Sequence, residues 1–393
     1  MSFDVARVRG LYTSLSDGWV YLNADSSPQI PESVSAATAR AFRNAPLMDN
    51  SQSTGTHAKN QLTLGSETMV AAARRAIADL TGTVEKAVFL GPSLETIYHR
   101  LSIALAPLLR HGGELISTRT ATHTLDVPVH RYAENDLGTG EIPAWQYRDL
   151  VTGGTRLVTI SSAHPQVGTV NNIAEIADIT HSQSRAWVLV DATACAGMRD
   201  ITFNTLGADI ITVDCAAFGG PHIAAVAFRD VSMFPRMYVE TLRMDVAPGL
   251  AGGVSAAIDH LADLDEDALG TRKKRLKASL AASGQYLERL GNYLVDSLSV
   301  LPKIHLLGIS GELASGAHVD RLPRVSFIIE GVPDETIFNR LLSHGLVASM
   351  TRRDALLEAM GIDDTQGALT IGLHVYNTTN DIDQLVRTMA SLA

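Results

Sequence analysis

Val213-Asp214-Cys215-Ala216-Ala217-Phe218-Gly219-Gly220-Pro221-His222-Ile223 joins two β-like apolar runs, Ile210 to Val213 and Ala224-Ala225-Val226-Ala227-Phe228. Toward the N-terminus, further β-like runs occur at Ala87 to Leu90, Leu115 to Ser117, Arg156 to Ile160 and Trp187 to Val190. Helical patterns separate them. Ser66 to Leu80 places Met69, Val70, Ala73, Ile77 and Leu80 at helical spacing and ends at Thr81-Gly82, and a second helix is expected from about Leu94 to Arg110, closed by Gly112-Gly113. Strands alternating with helices predict an α/β fold with a mainly parallel sheet covered on both faces. Toward the C-terminus the pattern turns to long helices from roughly Gly253, the clearest being Ala278 to Leu298, before a strand at Val325 to Ile329. The expected organisation is an N-terminal arm (1–30), a large domain (31–255) and a smaller C-terminal α/β domain (256–393).

Composition fits a folded enzyme-sized body: 393 residues, 46% hydrophobic and 19% charged, enough for two cores. The net charge of −10 argues against a nucleic-acid binder, which needs clustered Lys and Arg to displace counterions. The basic run Arg272-Lys273-Lys274-Arg275 follows the acidic Asp263, Asp265, Glu266 and Asp267 and reads as a solvated helix face. No apolar run approaches the ~20 residues of a membrane span, and the first residues lack the pattern of a secretory signal, so a cytoplasmic location is expected. The two cysteines, Cys195 and Cys215, sit in apolar segments and imply neither a disulfide framework nor a metal site.

Four segments, in order over about 360 residues, carry a family likeness. Val213 to Ile223 resembles the His-Lys-Phe-Gly-Gly-Pro segment of pyridoxal-phosphate (PLP) enzymes of the class V aminotransferase and cysteine desulfurase family. Tyr21-Leu22-Asn23-Ala24 resembles the extended arm that borders the substrate pocket, Trp187 to Ala194 the strand ending in the aspartate that pairs with the PLP ring nitrogen, and Leu369 to Thr378 the terminal strand and Tyr-Asn-Thr helix start. The resemblance implies a PLP-dependent transferase-like fold of type I: a large domain with a mainly parallel seven-stranded sheet, a smaller C-terminal domain and a homodimer.

It also implies roles. Ala217 falls at the position of the Schiff-base lysine, and its methyl group has no amine with which to form an imine or move a proton. PLP, if bound, would then be held non-covalently or as an external aldimine with a substrate amine. Asp191 is the expected partner of the ring nitrogen, with Thr193, Asp214 and His123 as further cofactor contacts. Ser93 and Thr96 open a helix after a strand, where free N–H groups and the dipole favour a phosphate, although Ser93 as a plain helix cap explains the same residues. Asn23, Ala24, His164 and Thr370 border the expected substrate side. Thr370 stands where the family has a carboxylate-clamping arginine, and Pro165 where it has an asparagine. The stretch Ala348 to Arg353 carries no cysteine, so thiol-based sulfur transfer is not expected.

Three functions remain open on this reading. One is a PLP-type enzyme with altered chemistry on a specialised amino acid, such as C–S cleavage of a cysteine S-conjugate, or decarboxylation or deamination. Another is a non-catalytic pseudoenzyme scaffold or ligand-binding dimer. The third is an enzyme of another class that reuses the cleft without PLP. Small amino-acid-like substrates, no nucleic acid, no metal and no membrane complete the expectation.

Overall fold

A computed structural model describes residues 3–49, 63–110, 112–309, 317, 319–390 and 392. At its centre lie seven strands: β1 (Val88–Gly91), β2 (Glu114–Thr118), β3 (Arg131–Ala133), β4 (Thr155–Ser161), β5 (Trp187–Asp191), β6 (Ile210–Asp214) and β7 (Ala224–Phe228). Their spatial order is β1-β7-β6-β5-β4-β2-β3. The run from β6 to β3 is parallel throughout, whereas β7 is antiparallel to both β6 and β1. The sheet is therefore mixed, as a direct return from β6 into its neighbour requires.

Burial on both faces follows from the strand composition. In β5, Val188 and Val190 point into one apolar cluster with Ile176 of α4 (Ile173–Gln183) and Val254 and Ile258 of α5 (Pro248–Ala262). Leu189 points the other way, into a cluster with Ile97 and Leu101 of α3 (Leu94–Ala104). Alternating side chains buried on both sides are the mark of a sandwiched sheet. The predicted helix at Ser66 to Leu80 forms as α2 (Gly65–Thr81), stopped by Gly82 at φ +80°; α1 (Glu32–Asn44) precedes it.

A second sheet, all antiparallel, has the order β8-β9-β11-β10, from β8 (Ile304–Leu306), β9 (Arg324–Ile329), β10 (Ser349–Met350) and β11 (Leu369–Gly372). The helix α6 (Arg272–Ser299) joins the two bodies: Leu276 and Leu287 enter the first core, and Leu290, Leu294 and Leu298 enter the second. The N-terminal arm crosses as well, pairing Val20–Tyr21 with Leu346–Val347 and bridging Asn23 to Gly372. The basic run at the start of α6 is only half solvated. Lys273 and Lys274 are exposed, but Arg272 reaches Asp79 at 3.2 Å and Asp259 at 3.4 Å, and Arg275 reaches Asp263 at 3.2 Å, tying α6 to α2 and α5. Among the described residues no helix is long and apolar enough to cross a membrane.

A buried ring cluster locks the arm between the bodies. The Tyr12 hydroxyl lies 2.8 Å from His260 Nε2, Tyr12 meets Tyr376 edge-on at 4.9 Å, and His374 lies 5.1 Å from Tyr376. Burial lowers the pKa of His260 to about 4 and that of His374 to about 3, below the ordinary 6.5. Both are neutral when folded, so between about pH 6.5 and 4 the unfolded chain binds more protons than the folded one, and stability falls with acidification. His374→Phe keeps a ring and removes one titration; its melting temperature, followed by circular dichroism, should fall less between pH 6.5 and 4 than that of the parent protein.

Candidate active site

The parallel strands β4, β5 and β6 end on one side of the sheet, where the turn after β6 also lies. Asp214 ends β6 and accepts a hydrogen bond from the Ala216 N–H at 2.9 Å, starting the short 3-10 turn Cys215–Phe218. Gly219 then takes φ +77°, and a β-carbon there would meet the Gln29 carbonyl oxygen at 2.7 Å; one at Gly220 would meet the Cys215 carbonyl oxygen at 2.7 Å. Side chains at these two positions would collide with backbone, so the paired glycines let the chain return at once as β7. Ala217 is left facing a cavity that Asp191, Thr193, His123, Asp25 and Arg324 also line.

Asp191 is 8% exposed. Its Oδ1 accepts the Thr193 N–H at 3.0 Å, and its Oδ2 lies 3.1 Å from His123 Nδ1. Thr193 in turn accepts the Asp214 N–H at 3.2 Å. A buried carboxylate is costly unless its oxygens are served, and here one oxygen is fixed by backbone while the other faces an imidazole and the cavity. Burial, together with the nearby Asp191 charge, raises the pKa of Asp214, though the Ala216 N–H pulls it down. His123 lines a second, open cavity as well, with Thr96, Glu95, His99 and Asp126.

Other predicted site residues lie apart from this cluster. The Ser93 hydroxyl accepts the Thr96 N–H at 3.2 Å and lies 3.1 Å from Thr96 Oγ1, so it acts as a helix cap; Thr96 faces the second cavity. His164 is turned into its own loop. Its Nδ1 accepts the N–H groups of Gln166 and Val167 at 3.3 and 3.1 Å, and its Nε2 lies 3.0 Å from Asp354. Thr370 is fully buried between Ser326 and Thr351 at 2.8 and 2.9 Å, a closed hydroxyl chain away from the lining. Ala24 lines the cavity, whereas Asn23 serves the bridge to Gly372. Both thiols are buried and raised in pKa by that burial, Cys195 and Cys215 alike.

Two charged lining residues escape sequence reading. Arg324 precedes the apolar run of β9 and looks like a strand-edge cation, yet it is buried. Asp25 follows Ala24 in the arm; its Oδ1 accepts from Ser349 Oγ at 3.0 Å, and burial raises its pKa against the opposing charge of Arg324. The available signal for Arg324 is that it follows Pro323 directly on entering a buried strand, where an unpaired cation is costly.

A mixed seven-stranded sheet with a buried aspartate and the return turn at its carboxyl edge is the architecture of fold type I PLP proteins. A family model described as aminotransferase class-V matches residues 20–229, and the chain belongs to that family. It is 35% identical over 413 aligned positions to an uncharacterized protein of Mycobacterium tuberculosis, covering all of both chains. An aminotransferase-like protein of Gibberella zeae is 26% identical, covering 76% of this chain and 77% of that one. Among solved structures, a cysteine desulfurase from Thermococcus onnurineus superposes with a TM-score of 0.78 at 15% identity over 100% of this chain and 98% of that one, which bears on the fold alone.

PLP is the cofactor this family implies. At the ring-nitrogen end the residues fit it, because Asp191, whose Oδ2 is paired with His123, lines the cavity. At the phosphate end the fit rests on the α3 N-terminus and Thr96, since the Ser93 hydroxyl is engaged in capping.

The loop that carries the lining residues Ser161, Ala163 and Pro165 depends on Gly168. It has φ +82°, and a β-carbon would lie 2.7 Å from both Cγ and the carbonyl oxygen of Arg324. Gly168→Ala should therefore cost about 2 kcal/mol, read from denaturant unfolding; an unchanged midpoint would contradict this packing.

Proposed function

We propose that this chain is a PLP-type enzyme of the class V aminotransferase family with altered chemistry on a specialised amino acid, and that it binds its cofactor without a lysine tether. The observation that carries the reading is the convergence of Asp191, His123, Thr193 and Ala217 on one cavity at the carboxyl edge of the sheet. Asp191 would hold the ring nitrogen in its protonated form, and the Thr193 N–H and His123 would keep the carboxylate aimed. When bound, the cofactor supplies an electron sink for a bond broken at the carbon that bears the substrate amine.

The remaining roles belong to the chain. Ala24, Ala163, Ala194 and Ala217 give the cavity apolar walls that limit water and strengthen electrostatics inside. Ala217 stands at the lysine position and can neither tether nor shuttle protons, so proton transfer at the substrate falls to His123 or Asp25, Asp191 being committed to the ring nitrogen. C–S cleavage, decarboxylation and deamination are the reaction types in view; two buried thiols do not support a persulfide route. A scaffold that has lost PLP chemistry is the second reading, favoured by the missing amine and by the exposed Glu95 beside the phosphate end.

Ala217→Lys should raise the PLP retained through desalting and move its absorbance away from that of the free aldehyde. Adding Asp191→Asn to that variant should lower the affinity by about 10-fold, because an amide cannot pair with a pyridinium as a carboxylate does. If Ala217→Lys neither holds PLP nor alters the spectrum, the scaffold reading replaces this one.

The active unit is proposed to be a homodimer. Phe42, Leu47 and Met48 are 56%, 57% and 53% exposed near the end of α1, an apolar group that a second copy would cover. Light scattering at micromolar protein should give twice the 42.0 kDa chain mass, and a monomer mass would count against it.

A further inference from the structure

Arg324 is a buried cation that forms no ion pair among the described residues. Among the described residues no carboxylate lies within 4.0 Å of its guanidinium, whereas other arginines form such pairs, Arg131 with Glu114 at 2.8 Å among them. Its five N–H donors meet three acceptors: the Pro165 carbonyl at 2.9 Å, the Ala194 carbonyl at 3.5 Å and the Met198 sulfur at 3.8 Å, the last two long. Burial accordingly lowers its pKa, with the Asp25 charge opposing that shift. A guanidinium in this state is expensive to bury, and the same side chain lines the cavity shared by Asp191 and Ala217.

Its place in the small sheet explains how it gets there. Arg324 pairs with Gly372 and Ser326 pairs with Thr370, so all four residues lie on one face of the β9–β11 ladder. Thr370 is capped by its neighbours and cannot take an anion, whereas Arg324, one strand across and two residues along, reaches the cavity wall at Pro165. Gly372 leaves room for Asp25, whose Oδ1 would be 2.7 Å from a β-carbon there. Asp25 faces the same cavity, but its Oδ1 is bonded to Ser349, and burial raises its pKa.

We infer that Arg324 is the anchor of a carboxylate subsite, so that the cleft selects an amine that also carries a carboxylate group. This rests on the PLP reading above and narrows it. A carboxylate held on a buried guanidinium gains charge-assisted hydrogen bonds and removes the cost of the unpaired cation. It is also kept from the freedom that its loss as carbon dioxide requires, which sets decarboxylation behind C–S cleavage and deamination.

The test uses stable probes that need no lysine and undergo no reaction: pyridoxine 5′-phosphate and the reduced secondary amines phosphopyridoxyl-L-alanine and phosphopyridoxyl-ethylamine. The two adducts differ essentially by one carboxylate. Isothermal titration of the unmodified protein should show the alanine adduct binding at least ~10-fold more tightly than the ethylamine adduct. In Arg324→Gln that ratio should fall to about one while pyridoxine 5′-phosphate binds as before, and Arg324→Lys should recover part of the preference. Equal binding of the two adducts by the unmodified protein overturns the carboxylate subsite alone, whether or not the variants fold. If none of the three probes binds, the cofactor reading fails and the subsite falls with it.

Discussion

A carboxylate buried at the end of a central strand constrains the rest of this molecule. Asp191 terminates β5, the middle strand of the seven, where apolar clusters cover both faces of the sheet and leave only the carboxyl edge open. Its charge is tolerable there because the Thr193 N–H and His123 serve its oxygens. Those partners hold their places through the next strand, since Thr193 is itself fixed by the Asp214 N–H. The return turn at Gly219 and Gly220 then brings Ala217 to the same edge. Parallel strands, buried aspartate and tight reversal are one arrangement, and the cleft is its consequence.

The second sheet completes the cavity from across the chain. The helix α6 shares its leucines between two cores, and the arm adds a strand pairing and the Tyr12 ring cluster. These contacts fix β9 against the loop around Gly168, so that Arg324 lines the same cavity as Asp191. A cavity with an anion at one wall and an unpaired cation at another favours a polar, zwitterion-like occupant over a uniformly charged one.

Much of the fold was legible because it rests on periodicity. Gly65–Thr81, Trp187–Asp191 and Ala224–Phe228 stand where their patterns place them, whereas the helix expected from Leu94 to Arg110 ends at Ala104 and is followed by a separate short helix, Ala106–Leu109, with Pro107 in its first turn. The strand Arg131–Ala133 was not legible, since three residues, one of them charged, carry no β signal; it forms by pairing with β2 at the sheet edge. Asp191, His123, Thr193, Ala24 and Ala217, singled out by local motifs, line one cavity. His164 and Thr370 do not line that cavity: His164 Nδ1 accepts the N–H groups of Gln166 and Val167 while its Nε2 faces Asp354, and Thr370 is bonded to Ser326 and Thr351. Arg324 and Asp25 were missed for the converse reason: the packing of β9 and the arm against β11 turns them toward the cavity.

The central claim is that this cleft holds PLP through Asp191 and without a covalent bond to the protein. A crystal structure of the unmodified protein soaked with PLP tests it most directly. The account predicts density for the ring beside Ala217, its nitrogen within hydrogen-bonding distance of Asp191, and no continuous density from the cofactor's aldehyde carbon to any protein nitrogen. A cofactor linked to a lysine, or bound away from Asp191, would contradict it.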